Sequence, residues 1–180
     1  FESRVERSTD RLLELMRAHG ARATFFVLGE IAERHPALLR RLAAERHEIA
    51  CHSDRHDNVW GQSPGEFRAD IRRAKRSIED AAGQAVIGYR APNFSIRRAQ
   101  QPWAYPILLE EGFLYDSSVF PIVHDRYGQP DAPRFAHEVW RDTGGGLLEF
   151  PISTVRLAGM NFPIGGGGYF RLLPLTVTML

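Results

Sequence analysis

The sequence predicts an α/β fold in which parallel strands alternate with helices in a single domain, residues 1–180. Short apolar segments alternate with longer amphipathic ones, as they do in parallel-sheet proteins. Polar side chains also follow directly after several apolar segments, as His52, Arg90 and Asp116 do. Because parallel barrels place their catalytic loops at these carboxyl ends, a barrel-like sheet with one active face is favoured. An open doubly wound sheet would use the same strand ends, but no Gly-x-Gly-x-x-Gly turn follows the first strand.

The individual elements follow from periodicity and capping signals. An amphipathic helix is predicted over residues 3–19, where Ser3 and Glu6 are placed like a capping box. Residues 22–29 are almost uniformly apolar, which is typical of a strand buried on both faces. A further helix should begin after the N-cap Ser63 and end at Gly83. The remaining predictions are helices over 36–45 and 103–111, strands over 47–51, 85–89, 113–115 and 147–150, and a loop over 122–141.

Composition excludes several classes of protein. The net charge is +1, from 23 basic and 22 acidic residues, so no basic excess is available to hold a nucleic acid. The single cysteine, Cys51, excludes an intrachain disulfide. No apolar run approaches the roughly 20 residues that cross a bilayer, so no transmembrane segment is predicted. The compartment, cytoplasmic or periplasmic, and the oligomeric state are left open.

Two histidines after the strand 47–51 form the main candidate site. His52 and His56 are four residues apart, and neutral imidazoles bind divalent ions at about 2.0–2.1 Å. Ser53 follows His52, which excludes the His-Glu-x-x-His protease helix. Strand alternation points Cys51 away from the face that His52 uses. The alternative is that both histidines are surface or hydrogen-bonding residues.

Together with these histidines, further motifs carry a family resemblance. His52-Ser53-x-x-His56 followed by Arg90-x-Pro92 resembles the second and third motifs of the NodB-type polysaccharide deacetylases, carbohydrate esterase family 4. The chain resembles most closely their exopolysaccharide-locus, PEP-CTERM-associated subfamily. The segments that match its pattern are residues 23–29, 47–50, 89–96, 115–121, 150–151 and 165–171.

The resemblance implies a fold, an activity and a cofactor. The fold would be a distorted (β/α) barrel, incomplete at both ends of this chain. The activity would be removal of N-acetyl groups from a polysaccharide in exopolysaccharide biosynthesis, with a divalent metal, Zn²⁺, bound by His52 and His56. The family's third ligand and general base belong to a motif that would precede Phe1, and its general-acid histidine to one beyond Leu180. We therefore expect this chain by itself to be weakly active or inactive.

Three further residues receive catalytic roles from the same resemblance. Arg90 would orient the catalytic-base aspartate and keep it ionised. The alternative is that Arg90 only forms a salt bridge at the rim of the barrel. The backbone N–H of Asn93 would stabilise the developing oxyanion. Asp116 would tune the acid histidine, or would only cap a turn.

The remaining polar and aromatic residues have simpler interpretations. Asp54 and Asp57 flank the histidines; they could replace a missing ligand, but loop aspartates are usually solvated. Trp60 and Phe94 could stack on sugar rings, although aromatic residues more often belong to a core. Residues 165–168, four glycines, indicate flexible backbone near the substrate groove. Two other functions stay open: an allantoinase-like or cyclic-imide hydrolase acting on a small molecule, and a carbohydrate-binding protein that has lost catalysis.

Overall fold

A six-stranded sheet with helices packed against it forms the centre of the protein. The computed structural model describes residues 4–164. The strands run in the order β1-β2-β3-β4-β6-β5; every neighbouring pair is parallel except β5 and β6, and β7 and β8 form a separate antiparallel pair. The helices are α1 Arg4–Ala18, α2 Gly29–Arg34, α3 Pro36–Ala44, α4 Pro64–Ala82 and α5 Ala104–Glu110, with 3-10 turns at Val59–Gly61 and Pro92–Phe94. The strands are β1 Thr24–Val27, β2 Glu48–Cys51, β3 Gly88–Tyr89, β4 Tyr115–Asp116, β5 His137–Asp142, β6 Gly145–Glu149, β7 Thr154–Leu157 and β8 Met160–Pro163.

The predicted α/β class with a parallel sheet is confirmed, and the sheet is a partial barrel. Within residues 4–164 the strand order is linear, with β1 at one edge and β5 at the other. One sheet face packs under helices. The other carries Thr24, Glu48, Tyr115 and Phe150, which line an open cleft of about 540 Å³. This open face is the interior of the incomplete barrel.

The core lies between the sheet and its helices. Tyr89 is fully buried and makes edge-to-face contacts with Phe67 of α4 and with Phe113, at centroid distances of 5.8 and 5.7 Å. Cys51 also faces this side, as strand alternation predicts, and burial raises the pKa of its thiol to about 12. Because Cys51 faces the core, away from the face that His52 uses, its thiol is not placed to share an ion with that histidine.

Helix α4 forms where the capping signals place it. The Ser63 side chain accepts a hydrogen bond from the Glu66 N–H, and the Glu66 carboxylate accepts one from the Ser63 N–H. Gly83 ends the helix with φ 69°, in the left-handed conformation that glycine adopts without strain. The other capping box was predicted for α1, from Ser3 and Glu6. Ser3 lies outside the described residues, and the Glu6 carboxylate lies 2.9 Å from Nδ1 of His35.

Several elements differ from the predictions. The sequence did not indicate α2, because it is only six residues long and its first residue, Gly29, has a low helix propensity. A Cβ at Gly29 would lie 2.4 Å from Asp54 Oδ1 and 2.8 Å from the Ala74 Cα, so close packing of α2 on α4 needs this glycine. Strand β5 begins inside the segment predicted as a loop, and β7 and β8 were not predicted. The strand predicted over 85–89 is reduced to Gly88–Tyr89.

No helix within the described part of the chain is long and apolar enough to cross a membrane. The glycines at 165–168 lie outside the described residues.

Candidate functional site

The two predicted histidines lie together at the carboxyl end of β2. Their ring centroids are 5.1 Å apart and the ring planes are inclined by 76°. His52 is anchored through its main chain, because its N–H donates to the Val27 carbonyl of the neighbouring strand at 2.8 Å. His56 is exposed and has φ 66°, so a left-handed turn brings its ring back toward His52.

The main chain also fixes the tautomer of His52. Its Nδ1 lies 2.6 Å from the carbonyl oxygen of Arg90, which can only accept, so Nδ1 carries the proton. Nε2 is therefore the nitrogen with a free lone pair, as in a metal-ligating histidine oriented by an outer carbonyl. Burial lowers the pKa of His52, and it outweighs the hydrogen bond to the Arg90 carbonyl, which raises that pKa. The lowered pKa favours the neutral ring.

The separation of the rings is compatible with two ligands of one ion. Two imidazoles that bind at about 2.1 Å and at a tetrahedral angle place their centroids roughly 5 Å apart. Among residues 4–164, no group of three or more His, Cys, Asp or Glu side chains is arranged to hold a metal. Within this part of the chain, the two imidazoles are therefore spaced as two ligands of one divalent ion would be.

Asp54 is not the solvated loop residue that the sequence suggested. It is buried, and its carboxylate lies 3.0 Å from Arg73 Nε. Its N–H lies 3.3 Å from the Asp70 carboxylate. These contacts engage the side chain in holding the loop against α4, whereas Asp57 is exposed.

Arg90 projects from the end of β3 and is held on three sides. Its Nε donates to the Ser117 carbonyl at 2.9 Å, and its Nη2 donates to the Ser117 hydroxyl at 2.6 Å. The guanidinium carbon lies 3.9 Å from the centroid of the Phe26 ring. Burial lowers the pKa of Arg90. None of the ion pairs formed within residues 4–164 involves Arg90, so the rim salt bridge considered above is not formed there.

Asn93 lies in a loop joined to the histidine loop. Its backbone has φ 52° and ψ 26°, and its Nδ2 donates to Asn58 Oδ1 at 2.8 Å. The Asn93 N–H donates no hydrogen bond to any residue in the described range. It is therefore a free main-chain donor close to the histidine loop.

Asp116 lies near Arg90 but on the opposite face of the sheet from the cleft that Arg90 and Ser117 line. It is fully buried, and the Ser118 hydroxyl donates to its Oδ1 at 2.5 Å. Because successive strand side chains point to opposite faces, Ser117 faces Arg90 while Asp116 faces the helices. The structure thus brings together His52, His56, Arg90 and Asn93, and it places Asp116 in the core.

The sequence analysis missed Glu149, which pairs in register with Asp116 across β4 and β6. Both side chains are fully buried. Burial is the largest cause that raises the pKa of each carboxyl group, and it raises the pKa of Asp116 to about 6. The negative charge of Asp116 raises the pKa of Glu149 further. An available signal was the alternation in β6, which places Glu149 on the same face as the buried Leu147.

Comparisons with known proteins connect this geometry to a family. The sequence profile described as polysaccharide deacetylase matches residues 1–101, which include both histidines, Arg90 and Asn93. The chain belongs to the polysaccharide deacetylase family. Residues 117–180 match a domain of unknown function, DUF3473. Strands from both matched segments join the same sheet.

Relatives in the family carry deacetylase names. Over 96 residues the chain is 34% identical to a peptidoglycan-N-acetylglucosamine deacetylase of Bacillus cereus, covering 53% of this chain and 35% of the relative. Over 85 residues it is 36% identical to a chitooligosaccharide deacetylase of a Bradyrhizobium species, covering 47% and 39%. The chain thus spans little more than a third of the length of these relatives.

Solved structures agree with the family. A candidate polysaccharide deacetylase from Mycobacterium smegmatis superposes with a TM-score of 0.66 at 29% identity, covering 88% of this chain and 51% of that one. A carbohydrate esterase family 4 pseudoenzyme from Bacillus anthracis superposes with a TM-score of 0.54 at 26% identity, covering 58% and 36%. The family thus includes a member described as a pseudoenzyme.

Proposed function

We propose that this chain carries the metal-binding face of a hydrolase that removes N-acetyl groups from a polysaccharide. The observation that carries the proposal is the hydrogen bond from His52 Nδ1 to the Arg90 carbonyl, with the His56 ring 5.1 Å away. It links the histidine motif and the arginine motif in one site. The deacetylase names of the relatives support the same reaction class.

His52 and His56 would hold the metal, most simply Zn²⁺. Zinc accepts neutral imidazole nitrogens, and the Arg90 carbonyl leaves Nε2 of His52 available for binding. When bound, such an ion supplies Lewis acidity toward the amide carbonyl and the attacking water. A third protein ligand would come from outside residues 4–164.

Arg90 would orient a general-base carboxylate. Its guanidinium is pinned by Ser117 and Phe26 but has no carboxylate partner in the described part of the chain. A half-buried cation stabilises the ionised form of a carboxylate placed beside it. The catalytic base would therefore belong to a segment that approaches the open face of the sheet.

Asn93 would contribute through its main chain. Its N–H is unused by the described residues, and the hydrogen bond from its side chain to Asn58 fixes the loop beside His56. A fixed N–H that makes no internal hydrogen bond can stabilise an oxyanion as the carbonyl is attacked.

The substrate would be an N-acetylated polysaccharide or oligosaccharide, and the setting exopolysaccharide biosynthesis. The resemblance of residues 115–121 and 165–171 to the exopolysaccharide-locus subfamily supports this finer proposal. The names of the relatives support N-acetylglucosamine polymers as the first substrates to test.

Metal content measured by mass spectrometry tests the proposal directly. After zinc loading and dialysis, the wild type should retain about one ion per chain, and His52→Ala and His56→Ala should retain much less. His19→Ala is the matched control, because His19 is exposed in the turn that follows α1. Equal metal content in wild type, His52→Ala and His56→Ala would overturn the ligand assignment.

Acetate release tests the activity separately. We expect the zinc-loaded chain to release acetate from N-acetylchitooligosaccharides far more slowly than a complete family member, because residues 4–164 offer no group of three metal ligands and no carboxylate ion-paired with Arg90. A rate near that of a complete homologue would show that the chain supplies these groups itself.

A carbohydrate-binding protein without catalysis is the second candidate. Two observations favour it: the similarity to the Bacillus anthracis pseudoenzyme, and the absence among residues 4–164 of a group of three side chains that could hold a metal. Oligosaccharide binding by the complete protein without acetate release would distinguish this candidate from the enzyme.

A further inference from the structure

A cleft next to the histidine loop has the composition of a sugar-binding surface. It lies between the 3-10 turn at Val59–Gly61 and the first turns of α4, and its volume is about 550 Å³. This is within the range of about 300–1,000 Å³ typical of small-molecule clefts. Its walls include Trp60, Asp57, Asn58, Gln62, Asp70 and Arg73.

Trp60 is exposed without a packing reason. Its side chain is 41% exposed, whereas the preceding Val59 is fully buried. The other two tryptophans, Trp103 and Trp140, pack against the core. An indole kept at the surface of a cleft offers a flat apolar face to a ligand.

The turn that carries Trp60 is held firmly. The Val59 N–H donates to the Ser95 hydroxyl at 2.9 Å, and Asn58 Oδ1 accepts from Asn93 Nδ2 at 2.8 Å. These bonds join the turn to the loop that carries the Asn93 N–H. The main chain that carries the indole is therefore held in place beside the Asn93 loop, which reduces the entropic cost of ordering this turn on binding.

Polar groups with spare hydrogen-bonding capacity surround the indole. Gln62 Oε1 is shielded from solvent and has no partner among the described residues. The Asp57 side chain is exposed beside it. An aromatic face next to amide and carboxylate groups matches the two surfaces of a pyranose ring, its C–H face and its ring of hydroxyls.

We propose that the Trp60 cleft is a subsite that binds a sugar ring of the polysaccharide adjacent to the ring being deacetylated, with the indole stacked on the pyranose face. This proposal rests on the proposed function, since it needs a polymeric sugar substrate at the histidine site. It assigns Trp60 to binding and gives it no role in the hydrolytic step.

Binding of N-acetylchitotetraose to the metal-free protein, measured by isothermal titration calorimetry, tests the subsite without any need for turnover. Trp60→Ala should weaken binding about tenfold or more, because it removes the stacking face. Trp60→Phe should stay within about threefold of wild type, since it keeps an aromatic face. Phe135→Ala is the matched control, because Phe135 is 76% exposed and lies outside the cleft.

Three outcomes would overturn the subsite. These are no binding by the wild type, equal affinity of wild type and Trp60→Ala, and equal losses in Trp60→Ala and Phe135→Ala. Thermal denaturation of each variant checks that the fold is retained. Acetate release by the zinc-loaded complete protein is measured separately, so failure of the subsite and failure of the deacetylase proposal give different results.

Discussion

The Nδ1–H of His52 donates a 2.6 Å hydrogen bond to the main-chain carbonyl of Arg90. His52 follows β2 and Arg90 follows β3, two neighbouring parallel strands. A main-chain acceptor cannot be lost by side-chain substitution at residue 90, so the orientation of the histidine depends on the sheet itself. The histidine motif and the arginine motif are thus coupled through the backbone.

This coupling predicts the tautomer of His52. In the metal-free protein near pH 7.5, ¹⁵N NMR should show His52 protonated at Nδ1 and unprotonated at Nε2, because only Nδ1 can donate to the carbonyl. Exposed His19 is the internal reference and should show the mixture of tautomers expected in solvent. Added zinc should shift the Nε2 resonance of His52 and leave that of His19 unchanged. A proton on Nε2 of His52 would contradict the assignment.

Ser117 should matter for stability because it holds Arg90. Its hydroxyl accepts from Arg90 Nη2 and donates to the Phe150 carbonyl at 2.7 Å. Ser117→Ala leaves both groups short of a partner in a partly buried setting, so it should lower the free energy of unfolding by about 1–3 kcal/mol. Urea denaturation provides the measurement. Ser77→Ala is the control, since Ser77 bonds Glu33 at the surface, and it should change stability by less than about 0.5 kcal/mol.

The buried Asp116 should make stability depend on pH. Burial raises its pKa from an ordinary 3.8 to about 6, so the folded state binds the proton more tightly than the unfolded state does. That contribution is fully present below about pH 4 and is lost as the pH rises through about 6. Its size is on the order of 3 kcal/mol.

Asp116→Asn should therefore weaken the pH dependence of stability between pH 4 and 6, leaving the part that buried Glu149 contributes, and raise stability at pH 8, because the amide needs no proton. Its carbonyl can still accept from the Ser118 hydroxyl. Denaturant midpoints across this pH range are the measurement. Asp80→Asn, at an exposed position on α4, should leave the profile unchanged. Parallel profiles for wild type and Asp116→Asn would show that Asp116 does not carry the dependence.

Arg46 offers a gain in stability. Arg46 lies in the turn that follows α3 and has φ 62°. This left-handed backbone conformation costs a non-glycine residue about 1 kcal/mol. Its side chain is exposed. Arg46→Gly should raise the free energy of unfolding by up to about 1 kcal/mol, measured by urea denaturation. Arg46→Ala keeps the backbone strain and should bring no such gain; an equal gain in both variants would attribute the effect to the side chain.

Local signals predicted much of the fold. Helix α4 begins and ends at the predicted residues because Ser63, Glu66 and Gly83 satisfy the backbone groups of its own first and last turns. The turn after α3 places Arg46 at φ 62°, a backbone conformation that glycine adopts more easily than arginine. Cys51 faces the core because strand alternation is a property of the backbone alone.

Partnerships across the sheet could not be predicted in this way. The pairing of Asp116 with Glu149 depends on β4 lying beside β6, and the strand order is not encoded near either residue. A shift of one residue in register would turn Asp116 to the opposite face, so its position in the core could only be seen in the folded chain.

By itself, the sequence determined the α/β class, the caps of α4 and the two histidines as a candidate pair, since each depends on residues close together in the chain. Only the tertiary structure decided which groups meet. It placed the Arg90 carbonyl on His52, Ser117 on the guanidinium of Arg90, and Asp116 beside Glu149 under the helices. These contacts depend on strand order and register, which are set by the packing of the whole sheet.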